Sequence, residues 1–169
     1  MPIKHILHNF TVFVDGKGKI GRVNEFTPPK LAVKTQEFNA GGMSAPVDVP
    51  MGAHEKLEAE LTLNGFDPDV LKLFSVVTGQ TIPITMRGAS LDDDGTTHDM
   101  VIKMRGFIQE MDRGNVKVGD EATLKLSLSL NYYKEEQDGH TLIEADPVNM
   151  VMMVNGIDQL AATRKALGV

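Results

Sequence analysis

The chain contains no cysteine among its 169 residues. It can therefore form no disulfide, no cysteine-ligated zinc site and no thiolate nucleophile, which is typical of assembly in a reducing cytoplasm. Long apolar runs are missing too. No segment reaches the roughly 18 apolar residues of a transmembrane helix, and the first residues lack the apolar run of about 7 to 15 residues that marks a signal peptide. We therefore expect neither secretion by the usual route nor membrane insertion by this chain.

Positive charge is also scarce. The chain has 17 Lys and Arg against 23 Asp and Glu, a formal net charge of −6. Proteins that grip nucleic acid need clustered Lys and Arg to displace counterions from the phosphates, so this balance argues against a nucleic-acid-binding protein. An acidic wall would let DNA slide past, although mild acidity alone also maintains solubility.

The chain does have long stretches of alternating polarity. Between Ala122 and Tyr133 one face holds Ala122, Leu124, Leu126, Leu128, Leu130 and Tyr132, and the other holds Thr123, Lys125, Ser127, Ser129, Asn131 and Tyr133. Because strand side chains alternate between faces, this pattern predicts a strand of roughly 40 Å at about 3.3 Å per residue. Most strands have only about 5 to 6 residues, so this length indicates a sheet that serves something larger than one small domain.

Further segments share this alternation and predict more strands. They are a hairpin around Val12 and Val14 that turns at Asp15-Gly16 into residues 19–26, strands over residues 31–38 and 55–63, a second hairpin of residues 80–89 and 99–108 joined by Asp92-Asp93-Asp94-Gly95, and a return strand over residues 140–144. Between Asn39 and Gly52 the alternation stops, and its glycines and prolines predict a long loop.

Two segments carry helix signals instead. Asp67-Pro68-Asp69 supplies an N-cap, a first-turn proline and a first-turn acid, and predicts a helix around residues 68–78. Residues 158–167, followed by Gly168, predict a short C-terminal helix. We therefore expect one domain over residues 1–169 that is mainly β, with two packed antiparallel sheets in a sandwich or barrel-like arrangement, a flanking helix and a short C-terminal helix.

No segment carries a recognisable catalytic or metal-binding motif. His5 and His8 are three residues apart with no third ligand nearby, and the acids of residues 92–94 are contiguous, whereas a calcium loop needs them at alternate positions. Glu58 and Glu60 share a strand face at roughly 7 Å, near the spacing of glycosidase carboxylates, but neighbouring exposed glutamates are commonplace on strands. We therefore predict that the protein is not an enzyme and uses no metal or cofactor.

Short motifs follow one another along almost the whole chain. They are Thr27-Pro28-Pro29-Lys30-Leu31, Gly41-Gly42-Met43 followed by Ala45-Pro46-Val47-Asp48, Arg105-Gly106, Gly119-Asp120-Glu121, Tyr132-Tyr133, Asp146-Pro147-Val148-Asn149, Asn155-Gly156-Ile157-Asp158, Leu160 and Leu167-Gly168. In this order and spacing the chain resembles the major tail tube proteins of contractile-tailed phages, a family that includes the tubes of R-type pyocins.

The resemblance implies a structural subunit of a phage tail or a phage-tail-like bacteriocin, assembled in the host bacterial cytoplasm. Six copies would form a ring, and rings would stack into a hollow tube inside a contractile sheath. The implied partners are further copies of the chain, the tail sheath protein, and the baseplate and tail terminator proteins. DNA, or ions in a pyocin-like particle, would pass through the lumen without specific binding, and no catalytic residue is implied.

The resemblance also leads us to expect three functional surfaces. The long loop would reach the neighbouring ring, with Gly41, Gly42, Met43, Ala45, Pro46, Val47 and Asp48 at the contact. We further expect part of the acidic surplus to line the lumen, with Glu58 and Glu60 as candidates, and the outer face with the helix of residues 68–78 to meet the sheath. Ring closure would leave no free strand edge, and a head-to-tail contact that does not close generates a filament.

Two alternatives share the predicted β architecture. A monomeric ligand-binding β-barrel would have the same alternating strands around an apolar cavity. A ring-forming tube of a type VI secretion system would share the assembly but not the motifs quoted above.

Overall fold

A computed structural model describes residues 6–19 and 21–169, so His5 lies outside the described residues. These residues form two antiparallel sheets and two short helices, which confirms the predicted mainly β class. In chain order the elements are β1 (Ile6–Val14), β2 (Lys17–Gly18), β3 (Val23–Thr27), β4 (Val33–Phe38), β5 (Val47–His54), β6 (Leu57–Asn64), α1 (Pro68–Leu71), β7 (Ile82–Leu91), β8 (Thr97–Asp112), β9 (Thr123–Gln137), β10 (His140–Asp146), β11 (Val151–Val154), β12 (Ile157–Asp158) and α2 (Ala161–Leu167).

The larger sheet has ten strands in the order β12-β11-β10-β9-β8-β7-β1-β2, with β6 joined to β9 and β3 joined to β6. β9 pairs with β8 along one edge, while its other edge is divided between β6 and β10. The connection between β2 and β3 links β1 to β6. The Lys19 amide donates to the Val12 carbonyl of β1, and the Asn64 amide of β6 donates to the Arg22 carbonyl. The sheet therefore curves around a single core.

Leucines of β6 and β9 form the centre of that core. Leu61 lies opposite Leu126 and Leu63 opposite Leu124, and all four side chains are almost fully buried. Each fully buried leucine contributes roughly 1.5–3 kcal/mol relative to an exposed one. The prediction that the alternating leucines of both strands face the core is confirmed.

The predicted alternation is wrong at the end of β9. Arg105 lies opposite Tyr132 but Gly106 lies opposite Leu130, so Asn131 is an extra, bulged residue. A bulge of one residue moves the following side chains to the other face of the strand. Tyr133, which the alternation assigns to the polar face, is accordingly 2% exposed and belongs to the core.

The flanking helix is shorter than predicted. Asp67 caps α1, its side chain accepting from the Asp69 amide at 2.9 Å, but the helix ends at Leu71 instead of continuing to residue 78. Val70 reaches the core, whereas Val76 and Val77 are 90% and 61% exposed. Short helices depend on packing of their apolar face, and among residues 72–78 only Leu73 packs against the core.

Two pairing predictions also differ from the structure. The predicted hairpin partner of β1, residues 19–26, does not form one strand: the short β2 (Lys17–Gly18) pairs with β1, while Val23–Thr27 pairs with β6. The predicted loop of residues 39–52 is a loop only in its first half, because β5 begins at Val47 and pairs with β4. The C-terminal helix is confirmed, and Gly168 ends it in the left-handed conformation at φ 76°.

Candidate functional site

Strands β4 and β5 form a two-stranded sheet of their own, which we call the arm (residues 33–54). Every residue of β4 is exposed, as is every residue of β5 except His54. The Glu55 amide donates to Ala32 at 2.8 Å and closes the base of the arm. An isolated two-stranded hairpin is marginally stable in water, so the arm has the properties of an element that is stabilised by a partner.

The two faces of the arm differ in chemistry. Phe38 lies opposite Val47, and Val49 follows two residues later on the same face. These side chains are 53%, 49% and 43% exposed and form what we call the apolar face of the arm. A contiguous apolar patch of this kind on the surface marks an interaction site.

The opposite face of the arm is acidic. Glu37 and Asp48 lie directly across from each other in the ladder. Like charges in that position repel, and neither carboxylate has a cationic partner within residues 6–19 and 21–169. A cation from outside the chain would relieve this repulsion.

The structure divides the predicted inter-ring residues between the tip of the arm and β5. Gly41, Gly42, Met43, Ala45 and Pro46 belong to the tip, where the Met43 amide donates to Ala40 at 3.1 Å and Gly42 has φ +90°. Val47 and Asp48 lie in β5, one on each face of the arm. The predicted residues therefore lie together at the far end of the arm.

Glu58 and Glu60 lie on the outward face of β6, and we call this face, together with the parts of β3, β9 (residues 123–130) and β8 (residues 106–112) that lie level with it, the acidic wall. Its charged positions follow the strand register: Glu60 lies level with Glu110 through Ser127, and Glu25 lies level with Asp112 through Thr62 and Lys125. Glu58 and Glu60 have side chains 58% and 47% exposed, so the sequence-based prediction that they share an exposed face is geometrically correct.

Two lysines partly neutralise the acidic wall. Lys56 lies 2.7 Å from Glu58 and also donates to Gln109, while Lys125 lies 3.2 Å from Glu60. Exposed pairs such as these contribute about 0–1 kcal/mol to stability. Among the described residues the wall holds five carboxylates, those of residues 25, 58, 60, 110 and 112, against these two lysines, so its net charge is negative.

An apolar cleft of about 360 Å³ opens between the β1 edge and residues 26–31. Leu7 and Phe10 line one side, Pro28, Pro29 and Leu31 the other, and Met86, Met100 and Ile102 are among the residues at its floor. Tyr133 also lines the cleft and donates its hydroxyl to Glu135 at 2.9 Å. Burial, with this bond to a carboxylate, raises the pKa of Tyr133, so the hydroxyl keeps its proton.

A buried ion pair joins the base of α1 to the end of the first hairpin. Lys19 lies 2.7 Å from Asp67, and their side chains are 5% and 3% exposed. Burial tends to raise the pKa of Asp67, but the bonds from Lys19 and the Asp69 amide and the charges of Lys19 and Arg22 outweigh it. The pKa therefore lies below its usual value, so the carboxylate is charged and stabilises the charged lysine.

A second ionic cluster clamps two hairpin turns together. His98 Nδ1 lies 2.7 Å from Asp138 and its Nε2 lies 3.4 Å from Asp92. The hydrogen bond with Asp138 is the main cause of a raised His98 pKa, although partial desolvation opposes it, and Asp92 adds to the increase. The same bond lowers the pKa of Asp138. The clamp is therefore strongest when the imidazole is charged.

Metal-ligating side chains do not cluster in the part of the chain that the structure describes. Within residues 6–19 and 21–169 no three His, Asp or Glu side chains converge as metal ligands. Over the same ranges, none of the helices has the length and apolar character required to cross a membrane. The candidate functional features are therefore surfaces: the arm, the acidic wall and the apolar cleft.

Sequence reasoning missed two of these features. The strand pairing of the arm had a visible signal, since Val47, Val49 and Met51 alternate with polar or small residues, but Pro46 and Pro50 obscured it. The cleft had no local signal, because its lining comes from five separate segments of the chain.

Known tail tube proteins match this chain along almost its whole length. The family model for phage tail tube protein FII matches residues 4–168. The tail tube protein of Escherichia phage P2 is 35% identical over 173 residues, covering 100% of this chain and 99% of that protein. The major tail tube protein of Serratia phage KSP20 is 30% identical over 157 residues, covering 92% and 91%.

Solved structures show the same fold. A chain in the cryo-EM structure of the sheath-tube complex of PVC, an extracellular contractile injection system, in its extended state superimposes with a TM-score of 0.58. The alignment covers 78% of this chain and 90% of that chain at 16% identity. A chain in the PVC sheath/tube terminator structure gives the same TM-score and identity, with 78% and 95% covered.

Proposed function

This chain belongs to the phage tail tube protein FII family, and from that premise we propose that six copies form a ring and that the rings stack into a hollow tube within a contractile sheath. The protein is a structural subunit of a contractile phage tail tube and a component of the virion tail. Its relatives are named tail tube proteins, and we propose that this chain has no catalytic role.

The uncovered arm is the observation that carries the assembly proposal. A hairpin with exposed Phe38, Val47 and Val49 is poorly suited to an isolated monomer, because its apolar face meets water. Assembly would cover that face with another copy. A contact between two different surfaces of identical chains closes into a ring or continues as a filament, and a stacked tube uses both outcomes. The residues of the arm tip are those proposed to contact the neighbouring ring.

The acidic wall is proposed to line the lumen. Its excess of carboxylates would repel the phosphates of DNA, so that the genome passes without adhering. We propose Glu58 and Glu60 as lining residues. Glu25, Glu110 and Asp112 are added because the strand register places them on the same face. The paired Lys56 and Lys125 leave the wall moderately rather than extremely acidic.

Sheath and terminator proteins are the proposed outer and end partners. The PVC chains with this fold come from sheath-tube and tube-terminator complexes, which supports the same partners here. A baseplate partner is proposed on the family resemblance alone. The relatives are phage tail tube proteins, and the matches cover nearly the whole length of both chains. They therefore favour neither a monomeric ligand-binding barrel nor a type VI secretion tube.

Negative-stain microscopy of the purified protein tests the assembly. We expect rings or tubes with sixfold end views at raised protein concentration, and featureless monomeric particles at every concentration would contradict the proposal. Purified tubes then test the lumen. Glu58→Lys together with Glu60→Lys should make tubes retain short DNA at low salt, whereas Asp93→Lys together with Asp94→Lys, an equal charge reversal in the exposed β7–β8 turn outside the wall, should not. Equal retention by both variants would count against the lumen assignment.

A further inference from the structure

We propose that the apolar cleft receives the arm of a second copy, with Phe38 and Val47 inserted and the Glu37–Asp48 pair held by Lys30 and Lys34 at the cleft rim. This inference rests on the proposed function, because it names the surface that each arm contacts in the assembled tube.

The cleft offers an apolar surface that no other described residue covers. Leu7 and Leu31, on its two sides, are 47% and 38% exposed, and the floor opens onto side chains of the core. The apolar face of the arm is the matching element, since its side chains are of the same chemistry and have no cover within the described ranges. Burying the two against each other would remove both exposed patches at once.

Charge complementarity identifies the arm as the occupant. Lys30 lies between Pro29 and Leu31, both in the cleft lining, and Lys34 follows where the arm begins. Neither lysine has an acidic partner in the parts of the chain that the structure describes. The arm brings Glu37 and Asp48 on the face opposite to the inserted side chains, so the long side chains of the two lysines would reach them around the edge of the arm. Two cations would thus meet two carboxylates that repel each other in the free arm.

The occupant cannot be the arm of the same chain. Seven residues separate Leu31 at the cleft from Phe38 near the arm tip, which is roughly 23 Å of extended chain at about 3.3 Å per residue. While β4 and β5 remain paired, Phe38 is therefore held far from its own cleft. The contact joins the arm of one copy to the cleft of another, which is the head-to-tail type that builds rings and filaments.

The polar groups of the cleft do not favour a small-molecule ligand. Ligand sites usually combine an apolar pocket with several polar groups placed to orient the ligand. Among the described residues of the lining, Glu135 is the one charged side chain, and it already accepts from the Tyr133 hydroxyl. An apolar side chain from another protein copy needs no such orienting group.

Cysteine cross-linking tests the contact directly, because the native chain has no cysteine. Chains carrying Phe38→Cys and chains carrying Leu31→Cys are mixed, assembled and treated with a short bismaleimide. We expect a covalent dimer from the mixture and at least tenfold less from the matched control, in which Val76→Cys replaces Phe38→Cys. Rings or tubes that form without a dimer above this control would overturn the cleft proposal but leave the proposed function intact. Wild-type protein that never assembles would overturn both.

Charge exchange keeps the proposal testable if the cysteine variants assemble poorly. Lys30→Glu should slow tube formation about tenfold, and adding Glu37→Lys to the same chain should restore it, since every contact then regains an opposite pair. Assembly of Lys30→Glu at the wild-type rate, or no recovery in the double variant, would contradict the pairing. Wild-type monomers should also bind the apolar dye ANS and release it on assembly. Dye that stays bound in tubes, or monomers that bind none, would show that the cleft is not a site for the arm.

Discussion

Gly106 lies where β8 leaves no room for a side chain against the backbone of β9, and Gly106→Ala tests this β8–β9 geometry directly. A Cβ at this position would lie 2.1 Å from the Ser129 carbonyl oxygen and 2.9 Å from Leu130 Cα. Both are backbone atoms, which cannot rotate away as a side chain can. The two strands must therefore separate next to the Asn131 bulge.

The cost follows from two contributions. Overpacking a core position costs about 1–3 kcal/mol, and each ladder hydrogen bond that the separation weakens costs about 1 kcal/mol more. We therefore expect Gly106→Ala to lower the free energy of unfolding by about 3 kcal/mol. For a chain of this size each kcal/mol shifts Tm by roughly 2–4 °C, so Tm should fall by roughly 6–12 °C.

Urea unfolding of the unassembled protein measures the change, with Gly41→Ala as the matched control. Gly41 has open space around the position of a new Cβ and does not have a positive φ. The control should therefore stay within about 0.5 kcal/mol of the wild type. If Gly106→Ala is equally stable, or if both variants lose the same stability, the close approach of β8 and β9 is not as described.

Two further predictions concern the ionic clusters. Asp67→Asn should destabilise the protein by about 3 kcal/mol in urea unfolding, since it leaves the buried Lys19 charge with only the longer 3.7 Å contact to Asp69. Because the Asp67 pKa is lowered in the fold, the ionised carboxylate stabilises the fold at a pH above its ordinary pKa of 3.8. This stabilisation is lost as pH falls through the folded-state pKa. Asp67→Asn should lack that acid dependence, and an unchanged dependence of stability on pH would contradict the assignment. The raised His98 pKa stabilises the fold fully below 6.5 and less as pH rises through the folded value. An NMR titration should therefore place the His98 midpoint above 6.5 and bring it back towards 6.5 in Asp138→Asn, whereas equal midpoints would exclude the clamp.

The parts of the fold that could be predicted from sequence are those in which burial follows a local period. The leucines of β6 and β9 alternate strictly, and their inward direction needed no knowledge of their partners. The Asp67 cap and the Gly168 stop were predictable for the same reason, because each acts on backbone groups only a few residues away.

The features that sequence reasoning missed depend on distant segments. The Asn131 bulge inverts the two tyrosines because β8 supplies Gly106 opposite Leu130, which no window around β9 contains. Helix α1 stops after one turn because only Leu73 of the residues that follow it packs against the core, while Val76 and Val77 face solvent. At the candidate surfaces, Glu58 and Glu60 were correctly placed on one strand face, but the partner of Glu60 comes from β9 and could not be deduced from β6.

Alternating apolar residues occur in two structural settings in this protein. In β6 the alternation is satisfied within the chain, since Leu61 and Leu63 are covered by the rest of the wrapped sheet. In β5 the same pattern is left uncovered, since Val47 and Val49 face outward and β4 is the only neighbour of β5 among the described residues. The stability of the monomer and its capacity to assemble therefore depend on separate sets of residues. It follows that polar substitutions on the apolar face of the arm should block tube formation at almost unchanged monomer stability, whereas substitutions of the β6 leucines should impair both.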